Sequence, residues 1–174
     1  MIFIDPDLEA GSPRAEELQE RMPSRRALAQ FLGKAQMAVH LHGQVSVLLT
    51  SDAGIRRLNR RFRGKNKATD VLSFPAEPIP GLKPAQQIAG DLAISVPTAR
   101  RQAAEQGHAL LIELKVLILH GLLHLAGYDH ETDSGQMARC ERMLRAKLGL
   151  PQGLIERAEG PAAKQPRRTA RARA

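Results

Sequence analysis

An α+β fold is what this sequence predicts: a single small domain with about four strands in one sheet, packed with helices around a central helix that ends in histidines. Three observations lead there. Strand-like runs at residues 1–4, 45–49, 70–74 and 89–95 are interleaved with segments of helical periodicity. A chain of 174 residues, 43% hydrophobic, can bury one core but hardly two. The most apolar stretch, residues 109–119, is long and dense enough for a buried helix and runs directly into three histidines. With aromatics at 3%, the core must be aliphatic.

Residues 1–4 read as a short strand closed by Asp5-Pro6. Ser12 and Pro13 supply an N-cap and a first-turn proline for a helix to about Met22. Pro23 interrupts it, Ser24 caps again, and Leu28, Phe31, Leu32 and Ala35 give an apolar helical face up to about Val39. After a turn at Gly43, Val45, Val47 and Leu49 alternate as in a strand. Ser51 or Asp52 caps a short helix with Ile55, Leu58 and Phe62 on one side, stopped near Gly64. The strand at 70–74 ends at Pro75, and residues 75–87 are rich enough in proline to be a loop. The strand at 89–95 leads into a helix opened by Ser95 and Pro97 and closed by Gly107. The histidine helix begins near Ala109. Thr132 or Asp133 caps a last helix bearing Met137, Cys140, Met143, Leu144 and Leu148, ended by Gly149 and Pro151. A folded domain over 1–156 is then followed by a disordered basic tail over 157–174, which lacks apolar periodicity.

The net charge of +8 is partly that tail, so the body is only mildly basic. One segment stands apart. Between Arg56 and Lys67 there are seven bases and no acid: Arg56, Arg57, Arg60, Arg61, Arg63, Lys65 and Lys67. A run this one-sided suits phosphate contact, most of it steering. The single cysteine, Cys140, excludes an internal disulfide framework and suits a reducing compartment. Neither a basic N-terminal region with a long apolar core nor an uncharged run of roughly 18 residues is visible, so the expected location is cytoplasmic, without a membrane.

His120 and His124 stand at i and i+4, so both imidazoles leave one face of the helix. Gly127 offers a left-handed stop, and the turn through Tyr128 and Asp129 can fold His130 back. One Zn2+ per chain fits three neutral imidazoles, its fourth position left to water whose pKa it lowers toward about 7. This H-x3-H-x5-H spacing is that of the metzincin proteases, but Gly121 stands where those carry their glutamate base. A zinc peptidase is disfavoured by that glycine and by the basic helix. A structural zinc would want a fourth protein ligand, and Cys140, inside an amphipathic helix, is a poor one. Asp129 reads as a base or as an orienting partner of a zinc histidine, Tyr128 as packing around the turn, and Asp91 as a brace beside the cleft. His40, His42 and His108 read as surface or helix-end residues.

The run from His120 to His130 resembles the H-G-x-L-H-L-x-G-Y-D-H signature of the YbeY family, bacterial endoribonucleases and rRNA maturation factors. Residues 58–75 resemble the family's R-G-K-x-x-x-T-D-V-L-S-F-P segment, with Asn66 and Ala68 in place of aspartate and proline. Residues 90–95 are similar to its G-D-I-x-I-S strand. The resemblance implies the same fold, His120, His124 and His130 as metal ligands, and Arg63 as the arginine the family treats as essential. It also implies a metal-dependent endoribonuclease acting on single-stranded rRNA precursor in 3′ end maturation and ribosome quality control. The small ribosomal subunit and its assembly proteins are then the partners. The competing class is a ribosome-assembly factor with little catalysis. Few aromatics for base stacking argue against strong sequence readout.

Overall fold

A computed structural model describes residues 1–9, 22–130 and 132–151. In chain order these form β1 (Ile2–Ile4), α1 (Pro6–Glu9), α2 (Arg25–Val39), β2 (Gln44–Thr50), α3 (Asp52–Arg63) and β3 (Val71–Pro75). A 3-10 turn at Pro84–Gln86 follows, then β4 (Ile88–Ser95), α4 (Val96–Glu105), α5 (Leu110–Leu125) and α6 (Gln136–Leu148). The four strands make one sheet in the order β1-β2-β4-β3, so the predicted α+β class is what forms. Neighbours β1, β2 and β4 are parallel, and β3 runs antiparallel to β4. Where the sequence suggested only a strand end, Pro6 starts one helical turn. The helix expected over 12–22 and the tail over 157–174 lie outside the described residues, the former except for its last residue, and so does the boundary at 156.

Serine caps set the helix starts. Ser24, Ser51 and Ser95 each accept from a backbone N–H three residues on, which satisfies a donor the helix cannot. At α6 neither expected cap holds the N-cap position, which falls to Gly135 without a side-chain cap; Asp133, two residues before it, takes the free backbone donors instead. Its carboxylate accepts from the N–H groups of Gly135, Gln136 and Met137 at 2.7, 3.0 and 2.7 Å. The proline-rich loop is closed by Gln87, whose amide both accepts from and donates to the backbone of Ile79 at 2.8 Å.

Strand register sorts the side chains into two faces. One carries the rows Ile2–Val47–Leu92–Ser73 and Ile4–Leu49–Ile94–Val71. Helices α2 and α5 cover it, and their Leu28, Leu32, Leu114, Leu117, Ile118 and Leu122 complete the main core. Helix α5 is apolar all round and correspondingly buried on nearly every side. It touches α2, α4, α6, β3 and β4, so it is the hub of the domain. At Gly121 it lies directly on the sheet: a Cβ there would come within 2.7 Å of Leu92 and 3.3 Å of Ser73. No single described helix is long and apolar enough to cross a membrane. The opposite face carries Phe3–Leu48–Ala93–Leu72 and is covered only in part, by α3 through Ile55 and Leu58.

Asp52, the first residue of α3, ties that helix to α4. Its carboxylate accepts from Ser95, from Thr98 at 2.7 Å and from Arg101 at 3.0 Å. Partial burial pushes its pKa up, but these hydrogen bonds and the Arg101 charge outweigh it and hold the carboxyl below its ordinary value. A carboxylate depressed in the folded state contributes stability above its unfolded pKa and loses it as pH falls through the folded one. Asp52→Asn should therefore lower the thermal midpoint at pH 7, with the gap to wild type closing below about pH 4. A gap that stays constant down to pH 2.5 would contradict this role.

Candidate metal centre and its cleft

Helix α5 delivers two of the three histidines, and its C-terminal stop delivers the third. Beyond Leu125 the N–H groups of Ala126 and Tyr128 return to the carbonyls of Leu122 and Leu123, with Gly127 at φ 90° making the left-handed step. The chain then doubles back and His130 meets the other two rings. The centroids of His120, His124 and His130 lie 4.8, 5.4 and 5.2 Å apart, close to an equilateral triangle. One nitrogen from each ring lies within 4.8 Å of the others, and this is the only such cluster among the described residues. Burial grades across it: His120 is buried, His124 half-buried and His130 exposed at the cleft.

Tautomers test whether a metal fits. His120 Nδ1 is 3.0 Å from Glu141 Oε2, and since a carboxylate only accepts, Nδ1 carries the proton and Nε2 keeps its lone pair. That Nε2 faces His124 Nε2 at 3.2 Å. The His124 ring also hydrogen-bonds the backbone of Tyr128. When that bond uses Nδ1, both Nε2 atoms carry lone pairs that repel at this distance, and a cation between them turns the repulsion into ligation. The separation is close to the roughly 3.3 Å edge of a tetrahedron with ligands at 2.0–2.1 Å. Burial above all, and then the nearby His120 and His130, lower the His124 pKa from 6.5 to about 4, against the opposing pull of Asp129. The ring is neutral at neutral pH, as a metal ligand must be.

Glu141 was not found by sequence reasoning. Its other oxygen accepts from Arg145 Nη1 at 2.8 Å, and both side chains are 2% exposed. Arg145 also donates to the carbonyl of Pro151. The chain His120–Glu141–Arg145 therefore runs from the metal site into α6. The signal was present: Glu141 falls on the apolar stripe of Met137, Leu144 and Leu148, where an unpartnered charge is costly.

Arg63 lines the same cleft of about 1230 Å³ as the three histidines, together with Asp70, Ser73, Tyr128 and Asp129. It is the last residue of α3, exposed, and without an ion pair among the described residues. Gly64, at φ 68°, ends the helix there. Asn59 holds the turn that follows: its side-chain amide donates to the Lys67 carbonyl at 2.7 Å and its own carbonyl accepts from Lys65 N. Ala68 packs with Ile55 and Leu72, so the departure from proline still fills its place.

The other residues singled out by sequence fall differently. Tyr128 shares a side-chain hydrogen bond with Cys140, which pushes its phenol pKa up, and Cys140 is not part of the histidine cluster. Asp91 lies in the row of Ser46 and Phe74; Phe74 lines the cleft of the histidines and Asp91 does not. His108 binds the buried Glu113 at 2.6 Å and His40 ends α2, both helix-end roles as expected. A glutamate at 121, the peptidase base, would be driven into Leu92 rather than toward the metal.

Partners that orient a ligating histidine typically change metal affinity 10–100-fold when lost. Glu141→Gln, titrated against a chromophoric chelator, should weaken metal binding by about that factor. Glu141→Ala should in addition cost on the order of 3–5 kcal/mol of stability, because Arg145 loses its buried counter-charge. Wild-type metal affinity in Glu141→Gln would remove this residue from the site.

Comparison with known proteins agrees with the geometry. The family model described as endoribonuclease YbeY matches residues 13–149. The endoribonuclease YbeY of Koribacter versatilis is 52% identical over 148 residues, 85% of this chain and 93% of that one. That of Solibacter usitatus is 52% identical over 135 residues, 78% and 86% of the two chains. The chloroplastic endoribonuclease YBEY of Arabidopsis thaliana is 47% identical over 119 residues, 66% of this chain and 20% of that longer one. With the histidine triad inside the matched span, this chain belongs to the YbeY family of endoribonucleases.

Proposed function

We propose that the chain is a zinc-dependent endoribonuclease that cuts single-stranded RNA in the precursor of small-subunit rRNA. It works in the cytoplasm with the small ribosomal subunit and its assembly proteins, in 3′ end maturation and ribosome quality control. The observation that carries this reading is that Arg63 and the three histidines line one open cleft, bordered by a helix whose outward face is cationic. The names of the relatives support the reaction, and the protein surface supports the substrate.

Zinc held by His120, His124 and His130 would supply Lewis acidity and bring the pKa of its water toward about 7. Everything else falls to the chain. Glu141 holds His120 in the tautomer whose Nε2 faces the site. Arg63 meets the negative charge that gathers on the non-bridging phosphate oxygens as the P–O bond breaks. A guanidinium suits this task because it is planar, permanently charged and able to bind two oxygens at once. Arg56, Arg60, Arg61, Lys65 and Lys67, all exposed, draw the RNA backbone toward the cleft.

Arg63→Lys keeps the charge and loses the two-oxygen contact. Single-turnover cleavage of a single-stranded RNA should fall about 10–100-fold, on the order of 1.4–2.7 kcal/mol, with metal content unchanged. Equal cleavage by wild type and Arg63→Lys would take Arg63 out of the chemistry. Cleavage surviving the joint replacement of all three histidines would leave the assembly-factor reading the better one.

A further inference from the structure

Three of the four phenylalanines stay out of the main core. Phe31 is buried, but Phe3 is 46% exposed, Phe62 58% exposed and Phe74 half-buried. Register puts the two strand residues on the same face of the sheet: Phe3 in the row with Leu48 and Ala93, Phe74 in the next row with Asp91 and Ser46. Helix α3 packs on β3 and β4 and leaves the β1 side of that face uncovered among the described residues. A second cleft of about 570 Å³ results, floored by Leu48 and Ala93 and walled by Phe3, Leu58, Phe62 and Phe74, with Ser46 and the exposed Asp91 as its polar lining.

This cleft is not separate from the first. Phe62 and Phe74 stand edge to face, centroids 5.1 Å apart, and both also line the cleft of the histidines. They are a shared wall. On its rim the Arg61 guanidinium lies 5.4 Å from the Phe62 ring centroid, and Arg63 is the next residue along. A lone exposed phenylalanine needs no explanation, whereas three around one concavity do. The order of chemistry across the surface is cation, aromatic wall, apolar floor. A nucleotide has the same order: anionic phosphate outside, flat apolar base within.

We propose that this second cleft is a nucleobase subsite, holding one unstacked base of the RNA while Arg61 and Arg63 keep its backbone at the shared wall. The proposal rests on the RNA-cleaving reading above and extends it. Stacking accepts every base, because each has a π-face, so the subsite selects strandedness and not sequence. Bases inside a duplex are already stacked and cannot enter. The small number of aromatics, which argued against sequence readout, is thus compatible with strong single-strand binding.

The test scans single-stranded RNA with one abasic nucleotide at each position in turn. Affinity is read by fluorescence anisotropy with the full-length chain, and cleavage of the same RNAs is read separately. Wild type should lose about 10-fold in affinity when one particular nucleotide lacks its base. Phe3→Ala and Phe74→Leu should each bind intact RNA more weakly but bind that abasic RNA as wild type does. Phe3 is exposed enough that Phe3→Ala decides the matter even if Phe74→Leu misfolds. Unchanged affinity for intact RNA in Phe3→Ala, or an abasic scan with no weak position, overturns the subsite and leaves the cleft to a protein partner. Loss of cleavage with the abasic effect intact speaks against the functional reading alone.

Discussion

His120 is where the core and the chemistry meet. It is buried except where it lines the cleft, so its inward nitrogen has no water to rely on and must be given a partner. Glu141 takes Nδ1, which leaves Nε2 to the metal site, and Arg145 balances the carboxylate that does so. This arrangement requires α6 to dock on α5 with Glu141 facing inward. It also requires α5 to lie flat on the sheet, which Gly121 permits by bringing no side chain against Leu92. Because three elements must agree before His120 points correctly, the metal site is as rigid as the core beneath it.

Much of this was legible in the sequence, and the reasons are local. A helix apolar on every side is buried, a serine before a helical run caps it, and two histidines four apart share a face. Glu141 escaped notice because the last helix still reads as amphipathic with one charge in its stripe. A buried acid and base four residues apart on an apolar face are the pattern to look for. Asp133 and Thr132 are equivalent as candidate caps, and only the path of the turn at Asp129 decides which of them reaches the free N–H groups. Composition misled about the aromatics. Their number is low, but strand parity decides which face they occupy, and parity gathers three of them around one cleft.

Helix α3 links the two clefts. Its inward side packs Ile55 and Leu58 on the sheet, its outward side carries cations, and its last turn places Phe62 and Arg63 side by side. The Gly64 stop and the Asn59 clamp fix where that turn ends, so the arginine and the aromatic wall are positioned together. A strand of RNA drawn along this helix would meet both clefts, because Phe62 and Phe74 line the two of them.

We propose that His120, His124 and His130, and no other side chains, hold one metal ion. X-ray absorption of the zinc-loaded protein tests it most directly. The account predicts three imidazole nitrogens and one light oxygen-type neighbour per zinc, at roughly 2.0–2.1 Å. A sulfur in the shell would bring in Cys140, and a fourth imidazole would mean a closed structural site. Either result would contradict the account.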